Sequence, residues 1–210
     1  MSLPRTAFVF AIRAVACSFL LSAAPPIAAQ PAQDSGAGRR VSIDPDVPQP
    51  EIPLIQSPGN FKAFLIGGGI GAAVDQTQAG RLFRDYMRKN NIDVSKIVLD
   101  SFRRTITEDR ILALADGSDT RLKLVINTYG FGASGFFGGD ERRPMMNVTA
   151  SLVAGGGNVL WKKTGFITNL SKETTAYTYD QLGRDPQLTA KSLEQVSSLL
   201  SHQLLSDLKQ

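Results

Sequence analysis

Few side chains in this chain could carry acid–base, nucleophilic or metal chemistry, and their spacing assigns them no such task. Histidine occurs once, at His202, between Ser201 and Gln203. Gln195, Ser198 and Ser206 share its side of a helix, so it reads as a solvated residue on a polar face. A Ser-His-Asp arrangement needs a positioned acid and a nucleophile held in a strained turn. Neither is visible around His202. Cysteine also occurs once, at Cys17. Asp75, Asp85, Asp100, Glu108 and Asp109 are spread along helical segments with basic neighbours. No two of them stand apart as the unequal carboxylate pair that divides acid and base roles. The sequence therefore assigns no catalytic, metal-binding or cofactor-binding residue.

One motif invites a nucleotide. Gly67-x-Gly69-x-x-Ala72 follows a short apolar run and precedes a helix, as a dinucleotide fingerprint does. The acid that would meet the ribose is Asp100, 33 residues after Gly67, where about 20 is usual. The segment from Asp93 to Ile106 also reads as a capped helix rather than the second strand of that motif. An exported chain, moreover, meets little NAD. No nucleotide cofactor is expected. Gly67, Gly68, Gly71 and Ala72 instead stand at small-xxx-small spacing, which lets helices approach closely and makes them candidates for helix packing or a homodimer contact. The plainer reading is a flexible, glycine-rich lead into the first helix.

The elements that would position any site follow from pattern. Residues 1–29 carry Arg5 and Arg13, then an apolar run from Ala14 to Ala24, then the proline pair and Ile27-Ala28-Ala29. A positive start, a short apolar middle and a small-residue exit make an export signal. The run is too short to span a bilayer, which takes about 20 residues. Cleavage after Ala29 and a periplasmic mature protein are expected. The alternative is lipid anchoring at Cys17, although Ala14-Val15-Ala16 is a poor lipobox. Removing the signal leaves 21 basic and 19 acidic residues. That balance predicts no nucleic-acid partner.

Residues 30–60 hold six of the 11 prolines, so they are expected to be a tether, with the folded domain occupying 61–210. Ala79, Leu82, Phe83, Tyr86 and Met87 recur at helical spacing and predict a helix over about 73–89. Asn90-Asn91 stops it. Asp93 caps a second helix with the stripe Val94, Ile97, Val98, Phe102 and Ile106, expected to end by Asp116-Gly117. Period-two alternation then predicts strands at about 120–130, 145–154 and 158–167, the last two joined at Gly155-Gly156-Gly157-Asn158. Residues 168–184 read as polar and irregular. Asp185 and Pro186 open a final helix with the stripe Leu193, Val196, Leu199, Leu200, Leu204 and Leu208. The expected fold class is α+β: a two-layer domain in which amphipathic helices cover one face of a three- or four-stranded antiparallel sheet.

Two surfaces are candidates for a partner. Arg81, Arg84, Arg88 and Lys89 make the first helix basic, a face suited to an anionic surface or simply to solvent. The loop over 130–140 carries Phe131, Phe136 and Phe137 among five glycines, with Asp140 to Arg143 as a polar rim. Such rings either anchor a partner or close the core.

The strand and turn segments "LKLVINTYGF", "MMNVTASLV" and "GGGNVLWKK", followed by an amphipathic helix, resemble a group of uncharacterised proteobacterial exported proteins and lipoproteins. They are loosely similar to the small α/β domains of outer-membrane accessory lipoproteins. The resemblance implies a non-catalytic envelope component, with an envelope protein or membrane surface as partner, and supplies no functional residues. The competing expectation is a small periplasmic hydrolase or transferase acting on envelope material, which would need a pocket of converging polar groups.

Overall fold

The computed structural model describes residues 39–56, 75–135 and 139–209, all within one compact unit that spans Ser35–Gln210. The expected export signal, Cys17, the glycines at 67, 68 and 71, Ala72, Phe136 and Phe137 lie outside the described residues.

Asp93 and Asp185 begin the two helices that the sequence assigns to them, and Asp75 begins the helix expected over about 73–89. The Asp75 carboxylate accepts from Gln78 N at 2.7 Å and starts α1 (Gln76–Lys89), which buries Ala79, Gly80, Phe83 and Met87. Asp93 accepts from Lys96 N and starts α2 (Val94–Asp109), burying Val98, Phe102, Thr105 and Ile106. The helix stops at Arg110, in the left-handed region at φ 51, ahead of the expected Asp116-Gly117. Asp185 accepts from Gln187 N and Leu188 N, and Pro186 opens the last long helix (Pro186–Leu205). Before it, Thr178 and Gln181 form a capping box for a short helix over Tyr179–Arg184, within the stretch expected to be irregular.

The sheet is larger than three or four strands and is mixed. Its long strands are β4 (Arg121–Ala133), β5 (Glu141–Val153) and β6 (Val159–Ile167), paired antiparallel as the alternation predicts. Four short strands extend it: β1 (Arg40–Ile43), β2 (Leu54–Ile55), β3 (Ala113–Leu114) and β7 (Tyr177–Thr178). The strand order is β3-β1-β4-β5-β6, with β2 also on β4 and β7 on β5. Both β1 and β2 run parallel to β4.

The tether expected over 30–60 is therefore corrected for residues 40–56, as is a domain start at Phe61. Ser42 N and Asp44 N donate to Thr120 O and Leu122 O, Ile126 N donates to Pro48 O, and Gln56 N donates to Phe131 O, all at 2.8–3.0 Å. Val41, Val47 and Ile55 are core residues. Pro45, Pro48, Pro50 and Pro53 all fall between β1 and β2, where no strand ladder needs their missing N–H. The close approach of β2 needs Gly130, at φ 152. A Cβ there would run into the Leu54 carbonyl oxygen.

Leu122 pairs with Leu152, which pairs with Trp161; Ile126 pairs with Val148, which pairs with Gly165. These residues face the helices, with Trp161 partly buried against the core. Gly165 leaves room for Leu200 and Leu204 to sit on β6. Between Ile126 and Thr128 the register shifts, so Asn127 is a bulge and the alternation changes phase. Beyond it, Tyr129 and Phe131 turn toward the helices instead of away from them, and both join the core.

Candidate functional site

The bulge places Tyr129 at the base of a cleft of about 760 Å³. Gln49, Pro50 and Glu51 form one wall. Arg84, Met87 and Arg88 of α1 form another, and residues 91–94 at the start of α2 close the end. Tyr129 is 2% exposed, and its hydroxyl makes no hydrogen bond among the described residues. Burial pushes its pKa up to about 12, with the nearby positive charge of Arg84 pulling the other way. At neutral pH the group is a neutral phenol that can donate a hydrogen bond and cannot act as a base.

The charges around it are arranged for holding. Arg84 Nη1 donates to Glu51 Oε1 at 2.8 Å, while Nη2 and Nε donate to Asp85 Oδ1 at 2.9 and 3.0 Å. Asp93 is occupied as the cap of α2. Arg88 is exposed at the rim. A phenol donor beside the held guanidinium of Arg84 suits an acceptor oxygen.

Of the basic residues singled out on α1, Arg84 and Arg88 enter this cleft, while Arg81 and Lys89 are exposed and do not line it. The Arg84 side chain is only 23% exposed, so it is corrected from a residue open to an external surface to one linking α1 with Glu51. Phe131 is corrected from a loop anchor to a core residue. It is fully buried, with its ring edge-to-face on Phe83 at 5.5 Å. Arg142 likewise leaves the expected polar rim. It is 3% exposed, donates to Gly139 O and Glu141 O, and lies 4.8 Å from the Tyr179 ring centroid. His202 is exposed but not alone, since its Nδ1 is 3.3 Å from Asp109 Oδ2. Tyr129, Gln49 and Glu51 escaped the sequence reading. The first sat on the wrong phase of an alternating strand, and the others sat in the supposed tether. The register shift at Asn127 has no signature in the alternation that precedes it.

Tyr179 is the second buried phenol. Its hydroxyl donates to Gln56 O at 3.2 Å, and burial pushes its pKa up to about 12 against the opposing field of Arg142. Both tyrosines hold their protons in the folded state at a pH where the unfolded chain, with phenols near 10, releases them. Their contribution to stability is thus fully present below pH 10 and is lost as pH rises from 10 through 12, by about 3 kcal/mol for each. Urea unfolding at pH 9 and pH 12, with absorbance titration of the phenolate, checks this. Tyr129→Phe and Tyr179→Phe should each remove one late-ionising group. Ionisation of every tyrosine near pH 10 in the folded protein would refute it.

No family model matches the chain, and no curated protein matches it. The fold is similar to several solved structures at low sequence identity. A Xanthomonas campestris protein of family DUF330 aligns with a TM-score of 0.45 and 13% identity, over 84% of this chain and 86% of that one. A minor lipoprotein from Acinetobacter baumannii aligns at 0.38 and 16% identity, over 54% and 81%. PelC from Paraburkholderia phytofirmans, crystallised as a dodecamer, aligns at 0.36 and 15% identity, over 83% and 90%. Besides PelC, the structural neighbours include a DUF330 protein and putative lipoproteins from proteobacteria.

Proposed function

We propose that this chain is an exported, non-catalytic accessory protein of the bacterial cell envelope that works by binding a partner at its surface. The observation that carries the binding role is the Tyr129 cleft. It offers a buried neutral donor beside the Arg84 guanidinium, which Glu51 and Asp85 hold in place, an arrangement suited to recognition. Export rests on the charged, apolar and small-residue order of residues 1–29. The partner sought is an envelope protein or a second copy of the chain.

A photo-crosslinking residue at position 88, used in intact cells, tests this reading. The wild-type cleft should give a discrete adduct with an envelope component. Tyr129→Phe should reduce that adduct severalfold while leaving the melting temperature unchanged, because the hydroxyl it removes has no hydrogen bond to lose among the described residues. An adduct indifferent to Tyr129, or a chain recovered from the cytoplasm with its first residues intact, would overturn the proposal.

A further inference from the structure

The face of the β4–β5–β6 sheet turned away from the helices is mainly basic. Arg121 and Lys123 stand on β4 and Lys162 on β6, all exposed. None of the three makes an ion pair among the described residues. Neither β4 nor β6 contains an acidic residue, and the only one in β5, Glu141, is at its start, remote from these lysines along the strand. Asp44 and Asp119 line a cleft at one end of this face together with Arg121 and Lys123, and Lys162 does not line it. Across the centre, Asn127 Nδ2 donates to Asn147 Oδ1 at 2.6 Å and to Thr149 Oγ1 at 2.8 Å, and Thr149 bonds Thr164 at 2.8 Å. Large apolar side chains gather toward the β6 edge. Leu160 and Phe166 are each 48% exposed there, and Val125 on β4 is exposed too.

We infer that this face docks on an anionic lipid surface. The polar groups at its centre are bonded to one another, so they have little left for a partner read by specific hydrogen bonds. What the face offers is positive charge and apolar area, the two terms that hold peripheral proteins on anionic bilayers. Long lysine stems reach headgroups while rings and aliphatic chains enter the interface. The inference rests on the exported-envelope reading, which makes a membrane surface the nearest neighbour of the protein.

The test is co-sedimentation of the full chain, as recovered from the envelope, with phosphatidylcholine vesicles made with and without phosphatidylglycerol. Binding should require phosphatidylglycerol and weaken as salt rises. Lys123→Gln with Lys162→Gln should weaken it roughly twentyfold, since each basic residue near such a surface is worth about fivefold. Leu160→Ser with Phe166→Ser should also lower it, whereas Arg81→Gln with Lys89→Gln on α1 should leave it within about twofold of wild type on the same scale. All these residues are exposed, and melting curves confirm that each variant is folded. Binding that ignores phosphatidylglycerol, or that depends on Arg81 and Lys89 as strongly as on the sheet lysines, would overturn the inference. So would a protein adduct from position 162 with vesicle binding unaffected by the lysine changes. Cell fractionation separates the two readings: a cytoplasmic chain that still binds vesicles through Lys123 and Lys162 would end the export reading and keep this one.

Discussion

Deletion of residues 39–56 is expected to abolish cooperative unfolding of the domain. The segment contributes β1 and β2 to the sheet and places Val41, Val47 and Ile55 in the core. Burying each of these side chains is worth about 1.5–3 kcal/mol. Their removal also strips the β4 edge of its partners at Leu122, Ile126 and Phe131 and opens the core beneath. The combined loss is of the same order as the whole stability of a typical domain, about 5–15 kcal/mol. Calorimetry or urea titration of the deleted chain should show no sharp transition. Ile55→Ala, a gentler change at a fully buried site, should cost about 2–5 kcal/mol and leave a measurable transition at lower denaturant. An unchanged melting temperature after the deletion would mean that the segment is dispensable after all.

The second large effect is expected at Phe131. Truncation to alanine removes a fully buried ring that meets Phe83 edge-to-face, and should cost about 3–5 kcal/mol. Phe83→Ala should cost a similar amount, and the double variant less than the sum. The two rings interact with each other by about 0.5–1.5 kcal/mol beyond their separate burial, and that coupling is counted in both single changes. Were Phe131 a surface anchor, alanine there would leave stability within about 0.5 kcal/mol of wild type. Urea unfolding of the three variants distinguishes these outcomes.

The helices and the long strands were legible for local reasons. Asp75, Asp93 and Asp185 begin helices because a short carboxylate satisfies N–H groups that the first turn leaves open. The stripes of α1, α2 and the last helix have helical periods because one side of each must face the sheet. The alternation of Leu122, Leu124 and Ile126 with Lys123 and Val125 marks a strand with one wet face. All of this is written within a few residues of where it acts.

The short strands were not legible, because two to four residues cannot display a period. Prolines at 45, 48, 50 and 53 disguised a segment that crosses the sheet edge between two such strands. Nor could the candidate site be read from the chain. It needs Glu51, Arg84 and Tyr129 together, from three segments far apart in sequence. The chain alone determined where helices start, which strands alternate and that histidine and cysteine are scarce. Tertiary structure decided which face each aromatic residue takes. A one-residue bulge at Asn127 reverses the phase of everything after it, and only pairing with β5 and burial under α1 select that register over the regular one.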